Sequence, residues 1–559
     1  MLLGSGETGA TDAPLSTGPG QGAASPQDCT ETTEERIMAE QRISRRVMNL
    51  GHLLTQAARR HPARPGFVWG DRTWSFAEME ARAAAIAALL RARGIGKGDR
   101  VLVHSRNCEQ MFVAMFAIFR VGAVYVPTNF RLLADEVADL AEMSRPRLFL
   151  CHEDFSAHAE AVAPLTSGVI RIGAELEALM AQYAGAAAPA EAVEYDDACW
   201  FFFTSGTTGR SKAAVLTHGQ LAFVVNNHLA DLLPGTCEEN ASLVVAPLSH
   251  GAGVHQLTQV ARAAKTILLP TERFDIEEAW RLIEAHRVTN MFTVPTILKM
   301  LAEHPAAGRH DHASLRHVIY AGAPMYRADQ QMILRRLGKV IVQYFGLGEV
   351  TGNITYLPPA LHEAEDGPAA RIGTCGFERT GMEVQIQDDA GRALAPFETG
   401  EICVIGPAVF AGYYDNPEAN AKSFRDGWFR TGDLGHMDAE GFLYITGRAS
   451  DMYISGGSNI YPREIEEKLL THPDVAEAAV IGVPDPLWGE VGVAAIVARE
   501  GQTDEATLLA WMAGKMPRYK LPKRVFFLPE MPKSGYGKVP KRLVRETLEA
   551  RGLLPLAKT

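Results

Sequence analysis

The feature that decides the fold is the stretch Phe201-Phe202-Phe203-Thr204-Ser205-Gly206-Thr207-Thr208-Gly209-Arg210-Ser211-Lys212. The run of phenylalanines predicts a buried strand, which leads into a loop of hydroxyl side chains and glycines. Glycines let backbone N–H groups approach an anion, hydroxyls donate further hydrogen bonds, and lysine adds a charge. These residue types indicate a phosphate-binding loop. Walker A is excluded, because its lysine directly follows the second glycine, whereas Lys212 lies beyond Gly209 and two further residues.

Helices and short strands alternate on both sides of this stretch. Upstream, Ser75 is followed three residues later by Glu78, a capping box that predicts a helix ending before Gly94. A strand at 101–103 and an apolar helix at 111–120 come next. Because this alternation continues for roughly 350 residues, it predicts an α/β fold of layered, mostly parallel sheets.

The pattern changes from about residue 380. Residues 384–387 and 401–405 alternate apolar and polar side chains, which predicts a small antiparallel β unit. After Arg448 the sequence predicts a separate α+β domain with helices at 462–470 and 505–516 and strands at 476–482, 492–499 and 524–528.

The expected organisation is therefore a large N-terminal domain at 46–447, a hinge at 448–451 and a small, mobile C-terminal domain at 452–559. Residues 1–45 are rich in Gly, Ser, Thr and Pro and poor in large apolar groups, so we expect a disordered tail. The alternative is that natural translation begins later, at Met38 or Met48.

Composition excludes several classes of protein. The 559 residues are 47% hydrophobic and 22% charged, with a net charge of −11, which disfavours a general nucleic-acid binder. The apolar stretch 112–126 is shorter than the roughly 20 residues needed to span a bilayer and contains Arg120. No secretory signal pattern is present. The seven cysteines form no CxxC pair, so we expect no disulfide framework and a reducing, cytoplasmic location.

Two segments further along the chain each contain a carboxylate that can bind a ligand. In 343–349 the ring of Phe345 precedes Glu349, and a carboxylate is a natural oxygen ligand for Mg²⁺. In 428–433, Asp433 supplies an acceptor-only carboxylate, which suits a vicinal diol.

Two further segments lie near the C-terminus. In 444–466 the adjacent Gly456 and Gly457 carry no Cβ, so a ligand can pass close to the backbone. In 532–541, Lys538 lies in a glycine-containing loop; a cation of this kind can bridge a carboxylate and a phosphate that would otherwise repel each other.

In this order, the segments resemble those of the adenylate-forming superfamily, which includes acyl-CoA synthetases, luciferases and nonribosomal-peptide adenylation domains. The resemblance extends from about Met48 to Leu553, with Gly348 in place of the usual threonine. It implies that the ATP- and AMP-binding residues are Thr204, Ser205, Gly206, Thr207, Thr208, Lys212, Gly322, Ala323, Pro324, Tyr344, Phe345, Gly346, Asp433 and Arg448.

The resemblance also implies the remaining roles. The catalytic residues would be Lys538, Glu349 and Thr204, of which the last two would hold Mg²⁺. The hinge would be Ser450 or its neighbour Asp451. The acyl pocket would include His250, Gly251, Ala321 and Gly348, and the CoA-binding residues would be Gly456, Gly457 and Arg518.

The implied function is an ATP-dependent carboxylic acid–CoA ligase that forms an acyl-adenylate and then a thioester, releasing AMP and pyrophosphate. The acyl pocket is expected to have some room because of the small residues Gly348, Gly352 and Ala252. The larger side chains of Phe292 and Met325 would narrow it. We therefore expect a small or medium aliphatic acid, with an aromatic acid as the alternative. The partners are the acid, ATP and CoA, with no nucleic acid, no transmembrane segment, and a homodimer left open.

Other functions remain open at this stage. A carrier-protein loader or an oxidative enzyme of the same superfamily would use the same acyl-adenylate with another acceptor. No carrier domain follows residue 559, which disfavours the first of these. A nucleotide-binding regulator without catalysis is favoured only by Gly348. A P-loop NTPase is disfavoured by the position of Lys212.

Overall fold

The computed structural model of this chain describes residues 45–205, 211–271, 274–323, 325–499, 503–533 and 539–555. The helices and strands below lie in the compact unit Arg46–Thr559. Some predicted features lie outside the described residues: the tail except for Arg45, and the site residues Gly206, Thr207, Thr208, Pro324 and Lys538.

The hydroxyl-rich stretch begins in a six-stranded sheet that is parallel except for its last pair of strands. In spatial order its strands are Val169–Ile172, Leu148–His152, Arg100–His104, Val124–Thr128, Ala198–Ser205 and Ser211–Thr217. Parallel strands all end at one edge of the sheet, and ligands bind at this edge in open α/β folds.

A second sheet has nine strands and is parallel in its centre and antiparallel at both ends. In spatial order its strands are Phe377–Glu378, Thr355–Leu357, Ile341–Phe345, His317–Tyr320, Asn290–Thr293, Ala241–Val244, Lys265–Leu268, Pro65–Trp69 and Arg72–Ser75.

Helix Glu109–Arg120 lies between these two sheets, and all of its residues except Gln110 are buried. A helix that is apolar on every side needs such a position in the interior. Its hydrophobic core includes Val101 of the six-stranded sheet and Leu268 of the nine-stranded sheet. Further helices pack on the two outer faces, which gives five alternating layers of helices and sheets.

The other helices connect the strands or cover the sheets. They are His52–Arg60, Phe76–Ala92, Ala134–Ser144, Ser156–Val162, Ala174–Gln182, His218–Asn227, Gly251–Ala261, Ile276–His286, Pro295–Glu303, Arg327–Leu337, Pro417–Ser423, Pro462–Leu469, Glu505–Ala513 and Lys541–Ala550. A π-helical turn at His228–Leu232 extends one of them, and short 3-10 turns include Gly348–Val350 and Arg518–Lys520.

The predicted antiparallel unit is present as a sheet of its own. Its strands are Glu383–Gln387, Gly400–Ile405, Trp428–Met437, Phe424–Arg425 and Leu443–Arg448. Every pairing among them is antiparallel.

The C-terminal region forms a fourth sheet with two hydrophobic clusters of its own. Its strands are Ser458–Ile460, Tyr453–Ser455, Gly489–Ala498, Val475–Asp485 and Arg524–Phe527. The helix predicted at 505–516 ends earlier, at Ala513, because Gly514 is a poor helix former. The change of sheet between Arg448 and Tyr453 agrees with the predicted hinge position, but the domain boundaries remain predictions.

The predicted fold class is confirmed: layered α/β sheets with a small β unit, followed by a smaller α+β region. Among the described residues, no helix is long and apolar enough to cross a membrane.

Ser75 caps helix Phe76–Ala92 as predicted. Its Oγ accepts a hydrogen bond from the Glu78 N–H at 3.2 Å, and Glu78 Oε2 accepts one from the Ser75 N–H at 2.7 Å. Ser75→Ala removes the first bond, which is worth about 1 kcal/mol. We expect hydrogen–deuterium exchange in the first helical turn to become about fivefold faster.

The control is Ser167→Ala. Ser167 is exposed, and no described residue hydrogen bonds its hydroxyl. Equal exchange at the first turn of helix Phe76–Ala92 in wild type and Ser75→Ala would contradict the capping role.

Candidate active site

The hydroxyl-rich loop joins two strands that pair directly. Thr204 lies opposite Lys212 and Ser205 opposite Ser211 in the antiparallel hairpin. The hairpin therefore brings Lys212 beside Thr204 at the edge where the central strand Ala198–Ser205 ends.

A buried carboxylate, Glu349, contacts this hairpin. Its Oε1 accepts hydrogen bonds from the Thr204 hydroxyl at 3.0 Å and the Tyr413 hydroxyl at 2.8 Å. Glu349 is only 5% exposed. Burial and the neighbouring carboxylate raise the pKa of Tyr413, so its phenol stays protonated and donates to Glu349. We call Thr204, Glu349 and Tyr413 the Glu349 cluster.

Backbone hydrogen bonds fix the position of Tyr413. The Val215 N–H donates to Gly412 O at 2.9 Å, and the Tyr414 N–H donates to Ala213 O at 2.9 Å, so this segment runs beside the hairpin. The Phe410 N–H donates to Glu349 O at 2.8 Å. Tyr413 could not be predicted from the sequence, because a tyrosine in a Gly-Tyr-Tyr segment carries no spacing signal for a carboxylate far away in the chain.

The arrangement leaves one side of the carboxylate open. Among the described residues, no hydrogen bond reaches Glu349 Oε2. Lys212 adds a cation nearby, with Nζ 4.9 Å from the centre of the Tyr413 ring. One free carboxylate oxygen and one lysine at a strand end can receive a cation and the anionic group that accompanies it.

The space beside Gly348 is already filled. A Cβ built on Gly348 would lie 2.6 Å from Phe202 Cδ1 and 3.0 Å from Thr204 Cγ2. The same holds at Gly352, where a Cβ would lie 2.3 Å from Tyr344 Cε2. The expectation that these two glycines leave room in the acyl pocket is therefore wrong, because aromatic rings take the volume that their missing side chains leave.

Asp433 and Arg448 form a second polar corner. They are opposite each other on neighbouring strands, and Arg448 Nε lies 3.0 Å from Asp433 Oδ1. The Asp433 side chain is 7% exposed and that of Arg448 is 48% exposed. The pair therefore leaves the guanidinium accessible to a ligand while the carboxylate is held in place.

The residues predicted to line the acyl pocket lie among aromatic rings. The His250 ring centroid is 4.4 Å from that of Phe202. A Cβ on Gly251 would lie 2.9 Å from Phe292 Cζ. Phe292 and Tyr344 both pack with Ala321 in one hydrophobic cluster, which connects these segments.

The side chains of Tyr344 and Phe345 lie on opposite faces of their strand. Neighbouring residues on a strand point to opposite faces, and the two side chains pack in different hydrophobic clusters. Tyr344 lies with Phe292, whereas Phe345 packs against the main core. Gly346 packs directly on the Gly352 backbone, where a Cβ would come within 2.4 Å. Gly322 and Ala323 are exposed.

The predicted CoA-binding and hinge residues lie in the C-terminal region. Gly456 and Gly457 form a tight turn with φ of +56° and +82°, which favours glycine. Arg518 begins an exposed 3-10 turn. Arg448 O accepts hydrogen bonds from the N–H groups of Asp451 and Met452, at 3.0 and 3.1 Å.

Two family models match this chain. The family model of AMP-binding enzymes matches residues 54–414, and that of the AMP-binding enzyme C-terminal domain matches residues 464–538. Feruloyl-CoA synthase from Amycolatopsis sp. is 38% identical over 505 residues, which cover 89% of this chain and 99% of that protein.

Two further proteins are similar to this chain. A long-chain-fatty-acid–CoA ligase of Mycobacterium tuberculosis is 32% identical over 508 residues, covering 90% of this chain and 99% of that protein. The solved structure of o-succinylbenzoate CoA synthetase from Bacillus subtilis, in complex with the acyl-adenylate intermediate, matches with a TM-score of 0.79 at 30% identity. That match covers 88% of this chain and 97% of the other.

Gly348→Ala tests the packing against Phe202. The added methyl group must displace a buried ring, and such overpacking costs about 1–3 kcal/mol, so we expect a lower thermal midpoint. Phe202→Ala in the same chain removes the obstacle, so the destabilisation by the double variant will be smaller than the sum of the two single effects. Differential scanning calorimetry measures all three.

Gly367→Ala is the matched control. A Cβ there would have no atom within 4 Å, so its midpoint stays near that of wild type. Strict additivity of Gly348→Ala and Phe202→Ala would show that the two residues do not compete for space.

Proposed function

The chain belongs to the AMP-binding enzymes, and from that membership we propose how its residues divide the work of the reaction. The protein is an AMP-forming carboxylic acid–CoA ligase. The observation that carries the division of roles is the Glu349 cluster, which joins Thr204 of the hydroxyl-rich hairpin to a buried carboxylate.

In the first half-reaction a carboxylate oxygen of the acid attacks the α-phosphorus of ATP, and the bond to pyrophosphate breaks. Thr204, Ser205, Lys212 and the intervening loop hold the departing phosphates, because hydroxyls, backbone N–H groups and a lysine all stabilise negative charge. Catalysis of this step consists mainly of positioning and charge stabilisation.

Glu349 and Thr204 would hold Mg²⁺. The free Glu349 Oε2 and the Thr204 hydroxyl are the hard oxygen ligands that this ion prefers. Among the described residues, no group of three or more His, Cys, Asp or Glu side chains could hold a metal alone, so phosphate and water oxygens must complete the shell. Bound Mg²⁺ would neutralise charge on the pyrophosphate.

The nucleoside is bound by three segments. Asp433 accepts from the ribose hydroxyls, and Arg448 at 3.0 Å orients that carboxylate. Phe345 stacks on the adenine, beside Gly346 and the turn containing Gly322, Ala323 and Pro324. These assignments are supported by the burial of Asp433 and by the partly exposed ring of Phe345.

Lys538 stabilises the pentavalent centre in the first step. The residues on both sides of its loop are anchored in the C-terminal region: Lys533 Nζ lies 2.8 Å from Glu477 Oε2, and Lys541 pairs with Glu466. Because these flanking residues belong to the C-terminal region, we assign Lys538 to that domain.

In the second half-reaction the CoA thiolate attacks the carbonyl carbon of the acyl-adenylate, and AMP leaves. We assign Gly456, Gly457 and Arg518 to CoA. The C-terminal domain rotates about Ser450 and Asp451 between the two steps, which withdraws Lys538 and brings the glycine turn to the thiol. His250, at the start of helix Gly251–Ala261, borders the acyl channel.

The proposal also covers the acceptor thiol, the cellular location and the oligomeric state. The acceptor is CoA, with a carrier protein as the alternative thiol. The location is cytoplasmic, in keeping with the free cysteines among the described residues, Cys108, Cys151, Cys199, Cys237, Cys375 and Cys403. A homodimer remains a prediction.

The proposed division of the reaction is tested first on the wild-type protein. Exchange of labelled pyrophosphate into ATP should require a carboxylic acid but not CoA, whereas net AMP release should require both. Exchange that is equally fast without acid, or release of ADP in place of AMP, would contradict the two-step ligase chemistry.

Lys538→Ala separates the two half-reactions. Loss of a cation that stabilises the transition state should slow adenylation by about 100-fold or more, while thioester formation from synthetic acyl-AMP stays near the wild-type rate. Lys533→Ala is the control, because Lys533 lies beside the same loop but is paired with Glu477. Equal losses in both half-reactions of Lys538→Ala would refute the assignment.

Ser450→Pro tests the hinge. Proline fixes φ at position 450 and disfavours the helical conformation of the residue before it, so rotation about this turn is restricted. We expect thioester formation to slow at least tenfold more than adenylation, in rapid-quench measurements of each step. Ser450→Ala should leave both rates unchanged. Normal rates in Ser450→Pro would move the pivot to Asp451.

A further inference from the structure

The Tyr344 side chain is buried on the acyl side of the site, and its hydroxyl has no partner. Tyr344 is only 9% exposed. Its ring centroid lies 5.8 Å from that of Phe292, the residue that borders Gly251. Among the described residues, none hydrogen bonds the Tyr344 hydroxyl. Because the hydroxyl is the accessible end of this largely buried side chain, the donor is available to a bound molecule.

The polar residues behind Tyr344 do not bond its hydroxyl: Arg379 and Asp231 are paired with each other, and Arg379 Nη1 has no hydrogen-bond partner among the described residues. Arg379 Nε donates to Asp231 Oδ2 at 2.9 Å, and the Thr380 hydroxyl donates to Asp231 Oδ1 at 2.8 Å. The Arg379 and Asp231 side chains are 0% and 3% exposed. Their charges cancel, so the surroundings of Tyr344 are polar but carry no net charge.

This neutrality decides which polar group can be bound there. A second carboxylate on the substrate would be buried without a counter-charge, which is costly. Burial holds the pKa of His228 well below its usual range, so this neighbouring ring, 6.4 Å from Tyr344, is neutral as well. Burial also raises the pKa of Tyr344, so its hydroxyl remains a donor. A neutral oxygen that accepts a hydrogen bond fits these conditions.

The shape of the surroundings favours a flat molecule. Two ring contacts occur among the residues assigned to the acyl side, one between Phe202 and His250 and one between Phe292 and Tyr344. Aromatic rings pack well against an aromatic substrate in offset or edge-to-face arrangements. These rings, together with the filled spaces at Gly348 and Gly352, reverse the preference for an aliphatic acid.

We propose that the substrate is an aromatic carboxylic acid with a neutral oxygen substituent on the ring, and that Tyr344 is the specificity-determining residue that hydrogen bonds this oxygen. The proposal rests on the acid–CoA ligase function above. It replaces the earlier assignment of Tyr344 to the nucleotide, because Tyr344 and Phe345 face opposite sides of their strand.

The test compares pairs of acids that differ only in a para-hydroxyl group. The pairs are benzoate, phenylacetate and cinnamate with their 4-hydroxy counterparts, and hexanoate represents the aliphatic class. For wild type we expect the hydroxylated acid of at least one pair to have a kcat/KM for CoA-dependent AMP release at least about tenfold higher. Three chain lengths allow for the depth of the pocket.

Tyr344→Phe removes the hydroxyl and leaves the ring. In the best pair it should bring the ratio of kcat/KM close to one, by slowing the hydroxylated acid while the unsubstituted acid reacts as before. Tyr453→Phe is the control, because Tyr453 is a buried tyrosine of the C-terminal region whose hydroxyl likewise has no hydrogen-bond partner among the described residues. It should leave the ratio as in wild type.

A change in the substrate tests the same hydrogen bond in the wild-type protein, so the test does not depend on the folding of Tyr344→Phe. The 4-fluoro acid of the best pair resembles the hydroxy acid in size but is a poor acceptor, so it should react like the unsubstituted acid. The proposal is overturned if wild type shows no preference for any hydroxylated acid, if Tyr344→Phe keeps the preference, or if hexanoate is the best substrate. Failure of every acid to release AMP would instead refute the ligase function.

Discussion

The Glu349 carboxylate is the point at which three parts of the large domain meet. Thr204 comes from the six-stranded sheet, Glu349 from the turn after a strand of the nine-stranded sheet, and Tyr413 from the connection that leaves the antiparallel sheet. Two hydroxyls donate to the same oxygen, and these two hydrogen bonds hold the carboxylate in its orientation. This leaves its second oxygen for a cation, and the hydroxyl-rich hairpin for the anion.

The region that we propose as the acyl pocket is built differently from the Glu349 cluster. It contains aromatic rings and glycines, with rings filling the spaces that the glycines leave at Gly348 and Gly352. A pocket of this kind selects mainly by shape, and a single hydrogen-bonding group then adds selectivity, because a substrate without the matching group leaves it unpaired. One similar protein is named as a feruloyl-CoA synthase and another as a long-chain-fatty-acid–CoA ligase, so family membership alone does not define the substrate. The lining of the pocket is a better guide.

The C-terminal region is linked to the large domain by a short, locally bonded segment. The turn after Arg448 is closed by its own backbone hydrogen bonds, and one further contact is the hydrogen bond from Arg463 Nη1 to Ile445 O at 3.1 Å. The C-terminal sheet has its own hydrophobic clusters, so it can move as a rigid body while a few backbone torsions change. One active site can then serve two chemical steps with different residues.

The sequence alone determined the α/β layers, the capping box at Ser75, the antiparallel unit and the ordered segments that identify the family. These features depend on residues close together in the chain, where periodicity and turn chemistry act directly. Only the tertiary structure showed that Tyr413 bonds to Glu349, that Phe202 fills the space beside Gly348, and that Tyr344 packs beside Phe292 with no hydrogen bond from a described residue to its hydroxyl. Which side chain fills a gap, or meets a carboxylate many residues away, depends on how separate sheets pack together, and no local pattern encodes that packing.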